Sequence, residues 1–237
     1  MIEFLDRTDA GRRLGRRLAA LRGQDVVVLG LPRGGVPVAF EVAKALDAPL
    51  DVIVVRKLGV PSQPELAMGA IGENGARILD SHVLSRAHVR EEDLGTVERE
   101  QRSLLERRLA RYRRGRTRAD VRGRTVVVVD DGIATGSTAR VACLVARRLG
   151  AARVILAVPV APARTAASFT EADEVVCLAS PRGFQSVGRY YRDFSPTEDD
   201  DVVRLLDAAA RPVQHPGRPR GRTPPAPPSS RGEAGRP

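Results

Sequence analysis

Short apolar runs and helical apolar stripes alternate along this chain of 237 residues. Runs rich in β-branched residues predict strands buried on both faces, as in the middle of a parallel sheet. Apolar residues that recur every three or four positions predict amphipathic helices between them. The predicted strands are residues 25–29, 50–55, 126–129, 153–160 and 174–178. The predicted helices are residues 7–22, 36–46, 89–114, 137–149, 164–169 and 198–210.

This alternation predicts an α/β fold with a mostly parallel, doubly wound, Rossmann-like sheet and right-handed crossovers. The turn signal Glu73-Asn74-Gly75 predicts a small hairpin between residues 66–71 and 76–79. We expect one domain over residues 1–210 and a disordered Pro/Arg-rich tail over residues 211–237. The expected parts of the domain are a core sheet at 25–57 and 120–180, a flap and long-helix insert at 58–118, and a C-terminal hood and helix at 181–210.

The most informative segment runs from Val126 to Thr138. Four consecutive valines precede Asp130 and Asp131, and a loop with two glycines and three hydroxyl residues then leads into a helix. Ligands of open α/β sheets bind at the carboxyl ends of strands, and N–H groups at such a helix start suit a phosphate. Two adjacent carboxylates would repel a phosphate, but they suit paired hydroxyls, as on a ribose, or a divalent cation. The segment therefore predicts a ribose 5-phosphate site; the alternative is an acidic strand end that only caps the next helix.

Residues 126–138 resemble the signature of the type I phosphoribosyltransferases, which use 5-phosphoribosyl 1-pyrophosphate (PRPP). The resemblance implies the sheet of that family with a small hood and flap subdomain. It also implies that Asp130 and Asp131 hold the ribose hydroxyls. The 5-phosphate would be bound by Gly132, Ile133, Ala134, Thr135, Gly136, Ser137 and Thr138. A Walker loop does not fit, because Gly136 is followed by Ser137 and not by lysine.

A second loop, residues 30–35, follows the first predicted strand on the same edge of the sheet. Arg33 offers a fixed cationic fork, and Gly34 and Gly35 offer backbone donors to an anion. By the resemblance, these three residues bind the pyrophosphate, with Lys57 from the end of the next strand, and a cis peptide is expected at Arg33-Gly34. The alternatives are an ordinary tight turn at residues 30–35 and a solvated strand end at Lys57.

The flap and the hood give weaker expectations. By the resemblance, a hairpin in residues 58–85 closes over the sugar, with Glu65, Met68 and Glu73 as possible contacts. Aromatic residues cluster between Phe184 and Phe194. Such a cluster predicts either a face that stacks a flat ring or a plug that closes the core.

Composition narrows the remaining classes. The formal charge of +10 would suggest nucleic acid, but only two of the 39 basic residues are lysines, and the tail from Arg211 carries half of that charge. Nucleic-acid binding is therefore not the expected function. No apolar run approaches the roughly 18 residues that span a membrane, and no leader is recognised at the N-terminus. Two cysteines form no disulfide framework, which is typical of a reducing cytoplasm.

The expected function is transfer of a 5-phosphoribosyl group from PRPP to a nitrogenous acceptor, such as a nucleobase, with release of pyrophosphate. Catalytic roles are expected for Asp130, Asp131, Arg33 and Lys57. Mg²⁺ is the expected cofactor, held mainly by PRPP and not by a protein metal site. Ala134 stands where family members that act on 6-oxopurines carry a carboxylate, so the acceptor stays open. The family also suggests a homodimer.

Two other functions stay open. The chain could be a regulator that senses PRPP or nucleotides and binds nucleic acid, in which case the basic run Arg107–Arg118 is its candidate surface. The run could also be a solvated helix end whose cations suit the helix dipole. Phosphoribosyl hydrolysis, or transfer to an acceptor that is not a base, cannot be separated from base transfer by sequence.

Overall fold

A computed structural model describes residues 3–210 of the chain. The predicted tail at residues 211–237 lies outside the described residues, and the predicted domain boundaries stay a prediction. Among residues 3–210, no helix is both long and apolar enough to cross a bilayer.

Five parallel strands form the central sheet, which confirms the predicted α/β class. They are β1 (Val26–Gly30), β2 (Leu50–Val52), β6 (Thr125–Val129), β7 (Arg153–Val160) and β8 (Glu174–Ala179). Their order across the sheet is β2-β1-β6-β7-β8. The helices are α1 (Arg7–Arg17), α2 (Gly35–Leu46), α3 (Ser81–Arg86), α4 (Glu91–Arg113), α5 (Ser137–Arg148), α6 (Ala163–Ala167) and α7 (Asp199–Ala210). Short 3-10 turns lie at Ala19–Leu21 and Val187–Tyr190.

Strand β6 is buried on both of its faces, as its four valines predict. Val126 and Val128 pack in the cluster that includes α5, while Val127 and Val129 pack in the cluster that includes α1 and α2. All four side chains are fully buried, and each such burial stabilises the fold by about 1.5–3 kcal/mol. Helices on both faces fix the end of β6 at the middle of the sheet edge.

A second, antiparallel sheet stands in the insert between β2 and α4. Its strands are β3 (Arg56–Val60), β4 (Gln63–Ile71) and β5 (Arg77–Leu79), in that order. The sequence predicted only the β4–β5 hairpin. The prediction that β2 continues to residue 55 is wrong. The neighbouring strand β1 ends at Gly30, and Gly30 pairs with Val52. Arg56 and Lys57 therefore begin the second sheet and do not end a core strand.

Arg113, at the end of α4, joins three elements through buried ion pairs. Its guanidinium contacts Glu73 in the β4–β5 turn at 2.6 Å and Asp51 in β2 at 3.2 Å. Glu73 and Asp51 are the two charged residues in the buried set of residues 3–210. Asp51 also accepts from the backbone N–H of Ala119 at 3.0 Å. The β4–β5 turn is thus fixed to the core.

Replacing the guanidinium tests this anchor. Arg113→Gln would leave two buried carboxylates without a counter-charge, so we expect a loss of about 3 kcal/mol or more in the free energy of unfolding. Urea unfolding measures it. Arg114→Gln is the matched control, because Arg114 is the exposed next residue. A loss below about 1 kcal/mol for Arg113→Gln would show that the cluster does not hold the turn.

Candidate functional site

Strand β6 delivers Asp130 and Asp131 to the carboxyl edge of the sheet, and the loop then turns sharply into α5. Gly136 has φ 80° and directly precedes α5, a backbone conformation that favours glycine. At Gly132 there is no room for a side chain, because an added Cβ would overlap the Val187 side chain. Ile133 is buried, and its N–H donates to the carbonyl of Val160 at 2.9 Å. Ile133 therefore shapes the loop and has no N–H left for a ligand.

The start of α5 forms a cradle of open backbone donors. Within residues 3–210, the backbone N–H groups of Thr135, Gly136, Ser137 and Thr138 meet no protein acceptor. The hydroxyls of Thr135 and Ser137 lie 3.3 Å apart and are exposed. Free N–H donors at the positive end of a helix favour a phosphate.

The loop with Arg33 lies directly against the two carboxylates. An added Cβ on Gly34 would overlap Oδ2 of Asp131, and one on Gly35 would lie 2.8 Å from the Cα of Asp130. The two loops can approach this closely only because both positions are glycine. The N–H of Gly35 is already used, since it donates to the carbonyl of Leu31 at 3.0 Å.

Arg33 itself is partly exposed at the edge of the site. Its Nη1 lies 3.2 Å from the Glu198 carboxylate, which precedes α7. The cis peptide of this loop is Pro32–Arg33. The prediction of a cis bond at Arg33-Gly34 is therefore wrong by one residue.

The flap residues separate into exposed and structural groups. Lys57 is exposed on β3, and its Nζ donates to the carbonyl of Glu65 at 2.8 Å. Met68 is fully buried in the core, and Glu73 is buried against Arg113. The prediction of Met68 and Glu73 as sugar contacts is wrong, because their side chains are used to pack and anchor the flap.

Arg7 of α1 is a site residue that the sequence did not indicate. Its Nε lies 2.8 Å from Oδ2 of Asp131, and its Nη1 donates to the carbonyl of Ser195 at 2.8 Å. Its guanidinium also stacks on Phe194, 3.9 Å from the ring centre. Both members of the ion pair are mostly buried. The interaction joins residues 124 positions apart, so no local pattern could have shown it.

The hood aromatics form a plug more than an open stacking face. Tyr190 and Tyr191 are buried with Phe4. The hydroxyl of Tyr191 donates to the backbone carbonyl of Asp131 at 2.5 Å. Phe184 stacks on Tyr190 at 5.6 Å between ring centres and stays partly exposed. The second of the two predicted roles for this cluster is therefore the observed one.

The electrostatics of the acidic pair are set by burial. Desolvation and the neighbouring Asp131 raise the pKa of Asp130 well above its ordinary value. Desolvation also raises the pKa of Asp131, while the Arg7 guanidinium acts in the opposite direction. The N–H of Asp131 donates to Oδ1 of Asp130 at 2.9 Å. Burying these two carboxyl groups in their ionised form therefore costs folding free energy. Such perturbed carboxyl groups are typical of functional sites.

This cost gives a pH-dependent stability. Because the folded-state pKa of Asp130 is raised, its contribution to stability is present below its unfolded pKa of roughly 4 and is lost as pH rises toward the folded value. Asp130→Asn keeps the acceptor for the Asp131 N–H but does not ionise. We expect the two proteins to unfold at similar temperatures near pH 4 and the variant to be the more stable near pH 8. Thermal unfolding across this range checks it; a difference that is constant with pH would contradict it.

Comparison with known proteins agrees with this geometry. A family model described as "Phosphoribosyl transferase domain" matches residues 5–192. Two proteins of Mycobacterium tuberculosis, from strains CDC 1551 and H37Rv, are each 60% identical over 209 residues and are provisionally named phosphoribosyl transferases. The alignment covers 88% of this chain and 47% of each relative, so the chain spans about half the length of these relatives.

A solved structure matches more completely. The crystal structure of the protein TT1426 from Thermus thermophilus is 44% identical and superposes with a TM-score of 0.79. The match covers 88% of this chain and all of that one. With the acidic pair at the end of β6 and the cradle at the start of α5, these similarities show that the chain belongs to the phosphoribosyl transferase family.

Proposed function

We propose that the protein transfers a 5-phosphoribosyl group from PRPP to a nitrogenous acceptor and releases pyrophosphate. The observation that carries the proposal is the contact between the Gly34-Gly35 backbone and the Asp130-Asp131 pair. In this proposal the Arg33 loop binds the pyrophosphate, and the adjacent carboxylates accept from the ribose diol. The open N–H groups at the start of α5 supply the third contact, for the 5-phosphate. One edge of the sheet thus matches all three polar parts of PRPP.

In this proposal the carboxylates act on the ribose. Asp130 and Asp131 accept hydrogen bonds from its two hydroxyls, which fixes the ring while the cradle at residues 135–138 holds the 5-phosphate. As the bond from C1 to pyrophosphate breaks, positive charge develops on the ring, and the nearby carboxylates stabilise it. The acceptor nitrogen then bonds to C1, and its proton passes to an oxygen of the released pyrophosphate or to solvent. Asp130 and Asp131 are assigned electrostatic and binding roles, not proton transfer.

The leaving pyrophosphate is assigned to Arg33, the N–H of Gly34, and Lys57. The ion pair of Arg33 with Glu198 is exposed on both sides, and such pairs contribute little. Arg33 can therefore exchange Glu198 for a phosphate oxygen. Lys57 would have to release the Glu65 carbonyl, which is a small cost for an exposed ammonium.

Mg²⁺ is proposed as the cofactor, where it would supply charge neutralisation for the leaving group. Among residues 3–210, no three His, Cys, Asp or Glu side chains converge as metal ligands. The donors present are one carboxylate beside another that already faces Arg7. This set fits a metal bound mainly through PRPP oxygens better than one held by the protein.

For the acceptor, a nucleobase is proposed. Ala134 carries no acid that could assist a ring nitrogen, and its carbonyl accepts from the Thr165 hydroxyl at 3.2 Å. The hood ring assigned to stack on the acceptor is Phe184, which stays partly exposed beside Tyr190. A homodimer stays a prediction.

The test combines binding with turnover. Calorimetric titration of PRPP and Mg²⁺ should give micromolar affinity for the wild type and at least 100-fold weaker binding for Asp130→Asn/Asp131→Asn, since two charge-assisted hydrogen bonds are lost. Glu91→Gln/Glu92→Gln, an exposed adjacent pair on α4, controls for net charge. Pyrophosphate release with a panel of nucleobases then identifies the acceptor. No PRPP binding by the folded wild type would refute the proposal.

Arg7 gives a second prediction. Arg7→Gln removes the cation that opposes the raised pKa of Asp131, so more of that carboxyl is protonated at low pH. We expect PRPP affinity to fall about tenfold near pH 6, which corresponds to roughly 1.4 kcal/mol, and the defect to shrink toward pH 8.5. Titrations of both proteins at each pH cancel the ionisation of PRPP itself.

Arg12→Gln, which loses an ion pair whose arginine is largely exposed, is the matched control on α1. A defect of equal size at every pH would show that Arg7 acts on the site only through packing.

The regulator hypothesis rests on the basic run Arg107–Arg118, part of which is engaged in ion pairs within the protein. Arg111, Arg113 and Arg116 of the basic run are held in ion pairs with carboxylates of α7, β2 and the β4–β5 turn. Of these three, Arg113 is mostly buried, whereas Arg111 is half exposed. Three of the seven arginines in the run are thus paired locally, which disfavours a coherent basic face for a nucleic-acid partner.

A further inference from the structure

A second concave surface lies away from the ribose-phosphate loop, toward the opposite edge of the sheet. It is a cleft of about 990 Å³ between the β4–β5 turn, the segment that joins α4 to β6, and the last turn of α5. Strand β6 begins near this region and ends at the candidate site, and α5 begins at that site and ends at the cleft. The two places are therefore roughly 17 Å apart. The charged residues that line the cleft are Arg77, Arg113, Arg118, Arg122, Arg148 and Asp120.

Most, but not all, of this positive charge is neutralised by the protein. The ion pairs are Arg113 with Asp51 and Glu73, Arg77 with Glu98, and Arg122 with Asp120. Within residues 3–210, Arg118 and Arg148 form no ion pair. Two of the five guanidinium groups therefore bring uncompensated charge to one cleft.

Arg118 carries a further signal. Its Nη1 is buried and is the one buried side-chain nitrogen or oxygen in residues 3–210 that has no hydrogen-bond partner. A buried donor on a charged group that stays unsatisfied is costly, and native structures rarely keep one without a reason. An acceptor supplied by a ligand in the cleft would satisfy it.

We propose that this cleft binds a compact polyphosphate anion, of the kind carried by a nucleoside polyphosphate. Guanidinium groups match phosphate oxygens in pairs, and the volume suits a nucleotide-sized ligand. The uncompensated charge is confined to two residues in a concave space, whereas a nucleic-acid backbone needs a longer basic track. Arg113 is fixed by its two carboxylates, so this wall of the cleft is formed before the ligand arrives. The site does not depend on the proposed transferase chemistry.

Inorganic tripolyphosphate is the probe, and hydrogen exchange read by mass spectrometry separates the two sites. In the wild type we expect protection of residues 74–77 and 117–122, in addition to any protection at residues 130–138. Arg118→Gln/Arg148→Gln should lose the first two signals, keep the third, and bind the probe at the cleft at least tenfold more weakly. Arg16→Gln/Arg17→Gln, an exposed pair on α1, makes the same change in charge and should behave like the wild type.

Three outcomes would overturn the proposal. They are an absence of protection at the cleft in the wild type, protection that survives Arg118→Gln/Arg148→Gln, and an oligonucleotide that protects the same segments at lower concentration than tripolyphosphate. The first would leave solvent as the partner of Arg118. If the double Gln variant does not fold, Arg118→Lys/Arg148→Lys replaces it. That variant keeps both charges but loses the paired donors, so we expect weakened but measurable protection.

Discussion

Two adjacent carboxylates buried at the end of one strand are the constraint on which the candidate site depends. Burial raises the pKa of both Asp130 and Asp131, and the charge of Asp131 raises the pKa of Asp130 further. Arg7 from the first helix supplies a counter-charge to Asp131, and the Tyr191 hydroxyl from the hood donates to the backbone carbonyl of the same residue. The two ends of the described chain therefore meet at the middle of the sheet edge, and the site is complete only when both have packed.

The sheet determines where this compensation has to be delivered. Helix α5 covers one face of β6, and α1 and α2 cover the other, so β6 is buried on both faces. The N-terminus of α5 and the side chain of Arg7 thus approach the end of β6 from opposite layers. The counter-charge for Asp131 therefore comes from the helix layer that contains α1. The open N–H donors come from the opposite layer, which contains α5.

The sequence predicted those parts of the molecule that are encoded locally. The valines of β6, the acidic pair and the glycine loop lie within 13 consecutive residues, and the fold class followed from the alternation of strands and helices. What could not be predicted depends on long-range contacts. Arg7 reaches Asp131 across 124 positions, and Glu73, which the sequence places in a flap turn, is a buried counter-charge to Arg113. The end of β2 was missed for the same reason, since it depends on where its partner β1 stops.

The β4–β5 turn is the anchored end of the second sheet. Arg113 and Glu73 fix this end to the core, and the exposed turn at Pro61 and Ser62, between β3 and β4, is the opposite end. Lys57 pairs with Ala70, close to the anchored end, whereas the exposed turn lies about 13–17 Å farther along the strands. The backbone of Lys57 is therefore constrained by the anchor more closely than the exposed turn is. The Arg113 cluster thus positions the Lys57 backbone as well as the turn itself.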